Sequence, residues 1–437
     1  MLKKLNEHID INFPFLRDKK LLIAISGGID SIVLTHLLYK LDFDISLAHC
    51  NFKLRGNESN DDEAFITDLA KKLDKKIYVK HFDTESYAKK NKLSIQLAAR
   101  ELRYNWFKET LKENNLDYII TGHNTNDNLE TFLINLSRGT GLEGLTGIPP
   151  VNEEIARPLL AFSREDILMF AIKNGITWRE DKSNASVKYI RNKVRHKVLP
   201  VLLEINPNLM SSFKNTLSYL NESQEIVKDK VNEVATKIIK KDATGIFKID
   251  IKALHKVSNI KAYLYQILKD FGFTEWNDVF DLIDAQSGKQ LFSKEYRLIK
   301  DRDFIILTKI ENNIDEKKRF EIQENDTKIS LPIHLKLEAI KEEDDWENNI
   351  IYVDKDLLKF PLIIRKWEYG DYFSPTGMRG TKKISRFFKD RKLSILEKEN
   401  IWLLANNNNE IIWVINYRQD KRFLATNSSK NILKITS

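Results

Sequence analysis

A single cysteine, Cys50, in 437 residues leaves this chain without an intrachain disulfide and without a metal site built from cysteines alone. No apolar run approaches the roughly 18 residues that a membrane-spanning helix needs. The opening segment MLKKLNEHIDINFPF carries acidic residues and no long apolar core, so a secretory signal is not expected there. These absences lead to the expectation of a cytoplasmic protein with no membrane partner. Fifteen glycines and nine prolines are too few for a fibrous or low-complexity chain. No internal repeat is visible, and the run Asn406–Asn409 reads as a turn. What the chain does have is 42% hydrophobic residues, enough for real cores, and a net charge of +8 that favours a polyanionic partner such as nucleic acid. The length suits two or three domains.

The most informative stretch is LLIAISGGIDS, Leu21 to Ser31. Leu21 to Ile25 is apolar without alternation, as in a strand buried on both faces. Ser26-Gly27-Gly28 breaks the run, and from Ser31 the apolar residues Ile32, Val33, Leu37, Leu38 and Leu41 take helical spacing. A strand, a glycine turn and a helix N-terminus together make a cradle for phosphate. The Gly-Lys-Ser/Thr ending of a Walker A loop is missing. Ser26, Gly27, Gly28, Asp30 and Ser31 instead resemble the PP-loop, Ser-Gly-Gly-x-Asp-Ser, of ATP pyrophosphatases, with Ile29 at the variable position. The alternative is an ordinary strand-to-helix turn capped by Asp30 or Ser31.

Residues 1 to about 212 alternate between strand and helix patterns. Strands are expected at Phe43–Cys50, Lys76–His81 and Leu116–Thr121, and helices at Glu58–Leu73, Ser94–Asn114 and Thr125–Leu136. Such alternation predicts a parallel sheet with helices on both faces and ligands at the carboxyl ends of its strands. Ser163 and Asp166 have capping-box spacing at the start of another helix. Residues 211–241 and 249–284 read as helical, 291–310 as short strands, and 350–437 as a compact β-containing module.

Four clusters carry possible chemistry, each with a plainer alternative. Gln96, Arg100, Arg103 and Tyr104 share a helix face, where paired arginines grip phosphate or merely form a solvated surface. In HNTNDNLET, His123, Asp127 and Glu130 fall on one face, suited to Mg²⁺ binding or proton transfer, or to capping by Asn124 or Asn126. Arg191 and Arg195, four apart, suit contact with RNA or a triphosphate. Arg379 to Lys392 (RGTKKISRFFKDRK) interleaves Lys382, Lys383 and Arg386 with Phe387 and Phe388, which either stack on RNA bases or fill a core. Cys50 reads as packing rather than as a nucleophile.

The segments SGGIDS, HCNFKLRG, AARELRY, TGHNTNDNLETFLINLSRGTGLEGLTGI, ARPLL and DKSNASVKYIRNKVR, in this order and spacing, resemble the tRNA(Ile)-lysidine synthetase family, and GDYFSPTGMRGTKK resembles its last domain. Four positions depart from the pattern: Phe52 for a histidine, Asn128 for glutamine, Lys182 for proline and Asn416 for glycine. The resemblance implies an α/β fold with a parallel-sheet PP-loop domain over 1–212, a helical tRNA-binding domain over 213–310 and a small α+β substrate-binding domain over 311–437. It implies that ATP activates C2 of the cytidine at position 34 of tRNA(Ile) with a CAU anticodon, and that L-lysine displaces AMP to give lysidine. Ser26, Gly27, Gly28, Ile29, Asp30 and Ser31 would then hold ATP, with Asp30 on Mg²⁺. Arg100, Arg103, Asp127, Glu130 and His123 would be catalytic, and Arg191, Arg195, Lys382, Lys383 and Arg386 would bind tRNA. A tRNA thiolase with the same loop commonly needs cysteine pairs, and an amidotransferase-linked synthetase needs a cysteine near the N-terminus; neither is present. An RNA-binding protein with an inactive PP-loop is the alternative from another class. The sequence leaves open whether the chain acts as a monomer or a homodimer.

Overall fold

Leu21, Leu22 and Ile23 are fully buried in β1 (Lys20–Ala24), the strand on which the N-terminal sheet is centred. The structure, a computed structural model, describes residues 1–179, 190–241, 246–310, 319–340 and 349–437. Two compact units divide the chain at Lys228/Asp229. The first runs α1 (Leu2–Asn12), β1, α2 (Ile29–Lys40), β2 (Asp44–Asn51), α3 (Asn57–Lys72), β3 (Ile77–His81), α4 (Thr84–Asn91), α5 (Ile95–Asn114), β4 (Tyr118–Ile120), α6 (Thr125–Arg138), α7 (Leu142–Leu145), β5 (Val151–Asn152), β6 (Ile155–Ala156), α8 (Arg164–Lys173), α9 (Ile190–Lys193) and α10 (Leu199–Ile205). The long helix α11 (Leu209–Ile238) crosses the division.

The sheet order is β3-β2-β1-β4-β6-β5, parallel except for the β5–β6 hairpin. From β1 the chain moves outward to β2 and β3, then returns to place β4 on the other side of β1. That reversal opens a crevice beyond the carboxyl ends of β1 and β4, where α/β sheets bind ligands. One apolar cluster joins α1, α2 and α8 to the sheet, including Leu5, Ile32, Leu37 and Ile167; a second, around Trp106, Phe107 and Leu111, seats α5. The expected strands and helices of this unit lie within about two residues of those observed, and Ser163 with Asp166 does form a capping box.

The second unit carries the expected helices between 249 and 284 and the expected strands between 291 and 310, and adds a strand at 247–250 that the local pattern does not indicate. Its first part is a five-stranded antiparallel sheet, β7 (Ile239–Lys241), β8 (Phe247–Asp250), β9 (Gln290–Phe292), β10 (Tyr296–Asp301) and β11 (Phe304–Lys309), in the order β7-β8-β11-β10-β9. Only short helices follow β8: Ile251–Leu254, Ile260–Leu268 and Trp276–Asp281. The strand forms because Asp250 pairs with Phe304, far along the chain, and local periodicity carries no trace of that pairing.

Two further antiparallel sheets build the C-terminal part. The short pair Tyr372–Phe373 and Lys382–Lys383 leads into the helix Ile384–Asp390. Phe387 and Phe388 are buried there with Phe373, Leu403 and Val414. Their rings are core residues, so stacking on RNA bases is ruled out for them. Residues 311–318 and 341–348 of the charged stretch, and Asp181–Tyr189 with Lys182, lie outside the described residues. Among the described residues, no helix is long and apolar enough to cross a membrane.

Candidate active site at the end of β1

The loop after β1 is shaped by hydroxyls and one glycine. Gly27 sits at φ +87°, a left-handed conformation that L side chains rarely adopt. The Ser26 N–H donates to Ser31 Oγ at 3.1 Å, and Ser31 Oγ donates to the Gly28 carbonyl at 3.0 Å. Gly28 is the N-cap of α2 and no side chain caps the helix, so its first amides are presented to the crevice. Ile29 is buried in the core and pins the turn. On the far wall, a Cβ on Gly122 would lie 3.1 Å from the backbone of Asp30 and Ser31. A glycine at the end of β4 is what allows the two strand ends to close on each other.

Asn124 joins the two walls. It caps α6, accepting from the N–H groups of Asn126 at 2.9 Å and Asp127 at 3.1 Å, while its Nδ2 donates to Asp30 Oδ1 at 2.9 Å. Asp127 Oδ2 completes the capping box by accepting from the Asn124 N–H at 3.1 Å. Capping and site assembly are thus done by the same residues. Burial, and then the charge of Asp127, push the Asp30 carboxyl up to about 6 against the hydrogen bond from Asn124 and the charges of Arg164 and Arg195. His123 is pushed down to about 4 by burial and by Arg157, Arg191 and Arg100, with Asp127 opposing. Its Nδ1 lies 2.9 Å from Thr121 Oγ1.

Glu130 is fully buried beneath two arginines. Arg195 Nε donates to its Oε1 at 2.6 Å and Arg191 Nε to its Oε2 at 3.0 Å. Arg195 Nη2 also reaches Asp127 Oδ1 at 3.4 Å. Arg191 Nη2 binds the Asp127 carbonyl and Thr131 Oγ1. The acidic pair and the two arginines therefore form one network. Its buried charges are tolerable only because each is paired.

Arg100 and Arg103 project from α5 with their side chains exposed, and among the described residues neither has a carboxylate partner. Arg100 lies over the Tyr104 ring at 4.9 Å, and Arg103 over Phe52 at 5.2 Å. Phe52 in turn stacks on Phe82, so the residue that stands in place of a histidine serves as a platform. Cys50 is pushed up to about 12 by burial, against Arg103 and Lys80, and is an inert thiol. Lys382 is tied to Asp390 at 2.6 Å, whereas Lys383 and Arg386 are exposed; all three belong to the second unit. Asn416, where a glycine is usual, sits at φ +64°, the left-handed region that asparagine tolerates best after glycine.

Local reading missed two residues. The Arg179 N–H donates to the Gly27 carbonyl at 3.0 Å, and its Nε holds Asp62 at 2.5 Å, bracing the loop from behind. A contact across 117 positions leaves no periodic signal. Arg157, in the ARPLL segment, is 4% exposed, and its charge is one of those that, after burial, lower the pKa of His123. An arginine directly after a strand end was the available clue. Among the described residues no group of three or more histidines, cysteines or carboxylates could hold a metal ion; Asp30 and Asp127 offer two carboxylates.

Residues 1–202 match the profile of a PP-loop domain, 242–310 that of the TilS substrate binding domain, and 362–435 that of the TilS substrate C-terminal domain. The chain is 39% identical over 422 residues to the tRNA(Ile)-lysidine synthase of Parabacteroides distasonis, covering 95% of each chain. The chain belongs to the tRNA(Ile)-lysidine synthase family. A second member, from Bacteroides thetaiotaomicron, is 38% identical over 98% of this chain and 97% of its own. Among solved structures, the U34-tRNA thiolase NcsA from Methanococcus maripaludis is similar at 18% identity and a TM-score of 0.42, over 51% of this chain and 80% of its own. Every residue of the network around Asp30 lies within the PP-loop match.

Proposed function

We propose that this chain is an ATP-dependent ligase that joins L-lysine to C2 of the cytidine at the first anticodon position of tRNA(Ile) with a CAU anticodon, yielding lysidine, AMP and pyrophosphate. The modified anticodon reads the codon AUA instead of AUG. One observation carries the reading: Asn124 ties Asp30 of the phosphate loop to the Asp127 capping box, so that a triphosphate cradle and a carboxylate for an amine share one crevice.

In this reading the amides of Gly27, Gly28 and Ile29 and the hydroxyls of Ser26 and Ser31 cradle the phosphates of ATP. Cytosine O2 is a poor leaving group until adenylation converts it into one that departs as AMP. Arg100 and Arg103, with no carboxylates to neutralise them, face the charge that builds on the α-phosphate and pyrophosphate. The residues present fit Mg²⁺: two carboxylates held together in a half-buried crevice invite a cation, and Mg²⁺ bound to a nucleotide takes one or two carboxylates and otherwise phosphates and water. Asp30 would hold the ion, whose charge would neutralise the triphosphate.

The lysine ε-amine, with a reference pKa of about 10.4, arrives protonated at neutral pH. A carboxylate must hold the ammonium and take its proton before attack. Asp127 keeps 17% of its side chain exposed and is our candidate, whereas Glu130 is sealed under Arg191 and Arg195 and fixes the position of Arg195. Neutral His123 borders the same space as a hydrogen-bonding neighbour. For tRNA we propose the exposed Lys383 and Arg386, with Lys382 as their tethered neighbour, and the solvent-facing edges of Arg191 and Arg195. The three parts 1–212, 213–310 and 311–437 would divide catalysis from tRNA binding, in the cytoplasm. Pyrophosphate release should require tRNA(Ile), ATP and lysine together, and mass spectrometry of the tRNA should show the mass of lysidine. Release that ignores lysine would point to another modification, and no release to an RNA-binding protein.

A further inference from the structure

The segment HCNFKLRG closes β2 and leads into α3, and it has no part in the mechanism so far. Two of its residues nevertheless reach the phosphate loop from behind. His49 is 5% exposed, and its Nδ1 lies 3.0 Å from the Ile25 carbonyl. A carbonyl oxygen only accepts, so Nδ1 carries the proton and donates it. Burial, with a smaller push from His81, holds the His49 pKa below its ordinary 6.5 against that bond and the charges of Glu63 and Asp62. The ring is therefore neutral at physiological pH. Arg55 donates from Nη2 to Asp62 Oδ2 at 2.9 Å, and Arg179 donates from Nε to Asp62 Oδ1 at 2.5 Å. Asp62, 7% exposed on α3, is a carboxylate shared by two guanidiniums. Arg179 in turn gives its backbone N–H to the Gly27 carbonyl at 3.0 Å.

A phosphate cradle must present N–H groups and turn its carbonyl oxygens away, because an oxygen facing the anion repels it. In a trans peptide the C=O and the following N–H point in opposite directions. With the Ile25 carbonyl held by His49, the Ser26 N–H is directed to Ser31 Oγ at 3.1 Å. With the Gly27 carbonyl held by Arg179, the Gly28 N–H is turned the other way, where its contact is a long one of 3.4 Å with Ser26 Oγ. The Gly27–Gly28 peptide lies between two residues without side chains, so nothing local fixes its plane. The restraint comes from outside the loop. We propose that His49 and Asp62 are positioning residues for the phosphate cradle: His49 fixes the Ile25 carbonyl directly, and Asp62 fixes the Gly27 carbonyl by anchoring Arg179.

The inference rests on the proposed binding of ATP at this loop, and Ser31→Ala, a change within the loop, tests that reading separately. Affinities for ATP and for adenosine are measured by calorimetry on the full-length chain. The variants are Ser31→Ala, His49→Ala, His49→Asn, Asp62→Ala, Arg179→Ala and the double variant Asp62→Ala with Arg179→Ala. Asparagine places an amide N–H where the Nδ1–H of His49 stands, and the Arg179 side chain is 36% exposed. His49→Asn and Arg179→Ala therefore remain informative where a buried alanine lowers the melting temperature. We expect ATP affinity to fall about three- to tenfold in His49→Ala, Asp62→Ala and Arg179→Ala. Adenosine affinity should stay unchanged, and His49→Asn should recover most of the loss at that position. The double variant should bind ATP no more weakly than either single one, since both act through one contact. If Ser31→Ala binds ATP as wild type does, the loop is not the ATP site, and the proposed function and this inference fall together. If Ser31→Ala weakens ATP binding while the alanines at 49, 62 and 179 do not, or if those alanines weaken ATP and adenosine alike, the positioning role alone is overturned.

Discussion

Asp127 and Glu130 lie three residues apart on one face of α6 and meet opposite surroundings. Asp127 keeps part of its side chain open to the crevice, while Glu130 is closed off by two arginines. Asp127→Asn should lower lysine-dependent turnover by about 100-fold or more and leave ATP binding near wild type, read by steady-state pyrophosphate release and calorimetry. Wild-type turnover at neutral pH would remove Asp127 as the base. Glu130→Ala should act on folding instead: the partly exposed Arg191 and Arg195 lose the buried carboxylate that holds them, at a cost of about 1–3 kcal/mol in urea unfolding. His123 makes stability pH-dependent. Its folded-state pKa, near 4, lies below the ordinary value of 6.5, so above pH 6.5 neither state holds the proton. As pH falls toward 4 the unfolded chain takes up a proton that the folded chain refuses. Stability should therefore drop by about 2–3 kcal/mol over that window, and His123→Gln should flatten this part of the profile.

At the scale of the element, the strand, glycine turn and helix from Lys20 to Lys40 could be read directly, because apolar periodicity and two adjacent glycines are local signals. The left-handed Gly27 was implicit in that reading. An added Cβ at this position would meet only Ile66, at an ordinary 3.7 Å, so Gly27→Ala is strained by its backbone alone. It should cost about 1 kcal/mol and weaken nucleotide binding through the altered turn. The basic segment near residue 385 shows the opposite case. Its aromatic residues had two readings, and burial among Phe373, Leu403 and Val414 decided for the core. Phe388→Ala should destabilise by about 3–5 kcal/mol in denaturant titration. A charge reversal at Lys383 should leave unfolding unchanged. The short strand β8 leaves no local signal because its pairing with β11 comes from a segment far away in sequence.

For the whole molecule, the nucleotide crevice is built entirely within Met1–Lys228, whereas the exposed basic residues Lys383 and Arg386 belong to Asp229–Ser437. A chain ending near residue 345 should keep its affinity for ATP and lose much of its affinity for tRNA, as measured by calorimetry and filter binding. In the full-length protein, replacing Lys383 and Arg386 with alanine should reduce the salt dependence of tRNA binding by a log–log slope of about 1 to 2, since each lost phosphate contact removes roughly one counterion. An unchanged slope would place the RNA contact elsewhere on the protein.

Strands β1 to β4, helices α2, α3, α5, α6 and α8, the phosphate loop, the capping residues of α6 and the family to which the chain belongs followed from the sequence itself. Each of these is written in neighbouring residues or in short spacings. Three features waited for the tertiary structure: the closure of Gly122 against α2, the sealing of Glu130 by Arg191 and Arg195, and the brace of Arg179 on Gly27 and Asp62. The physical reason is common to all three. Each depends on burial and on partners brought together from distant parts of the chain, and only the packed sheet sets which side chain is enclosed and which remains open to a ligand.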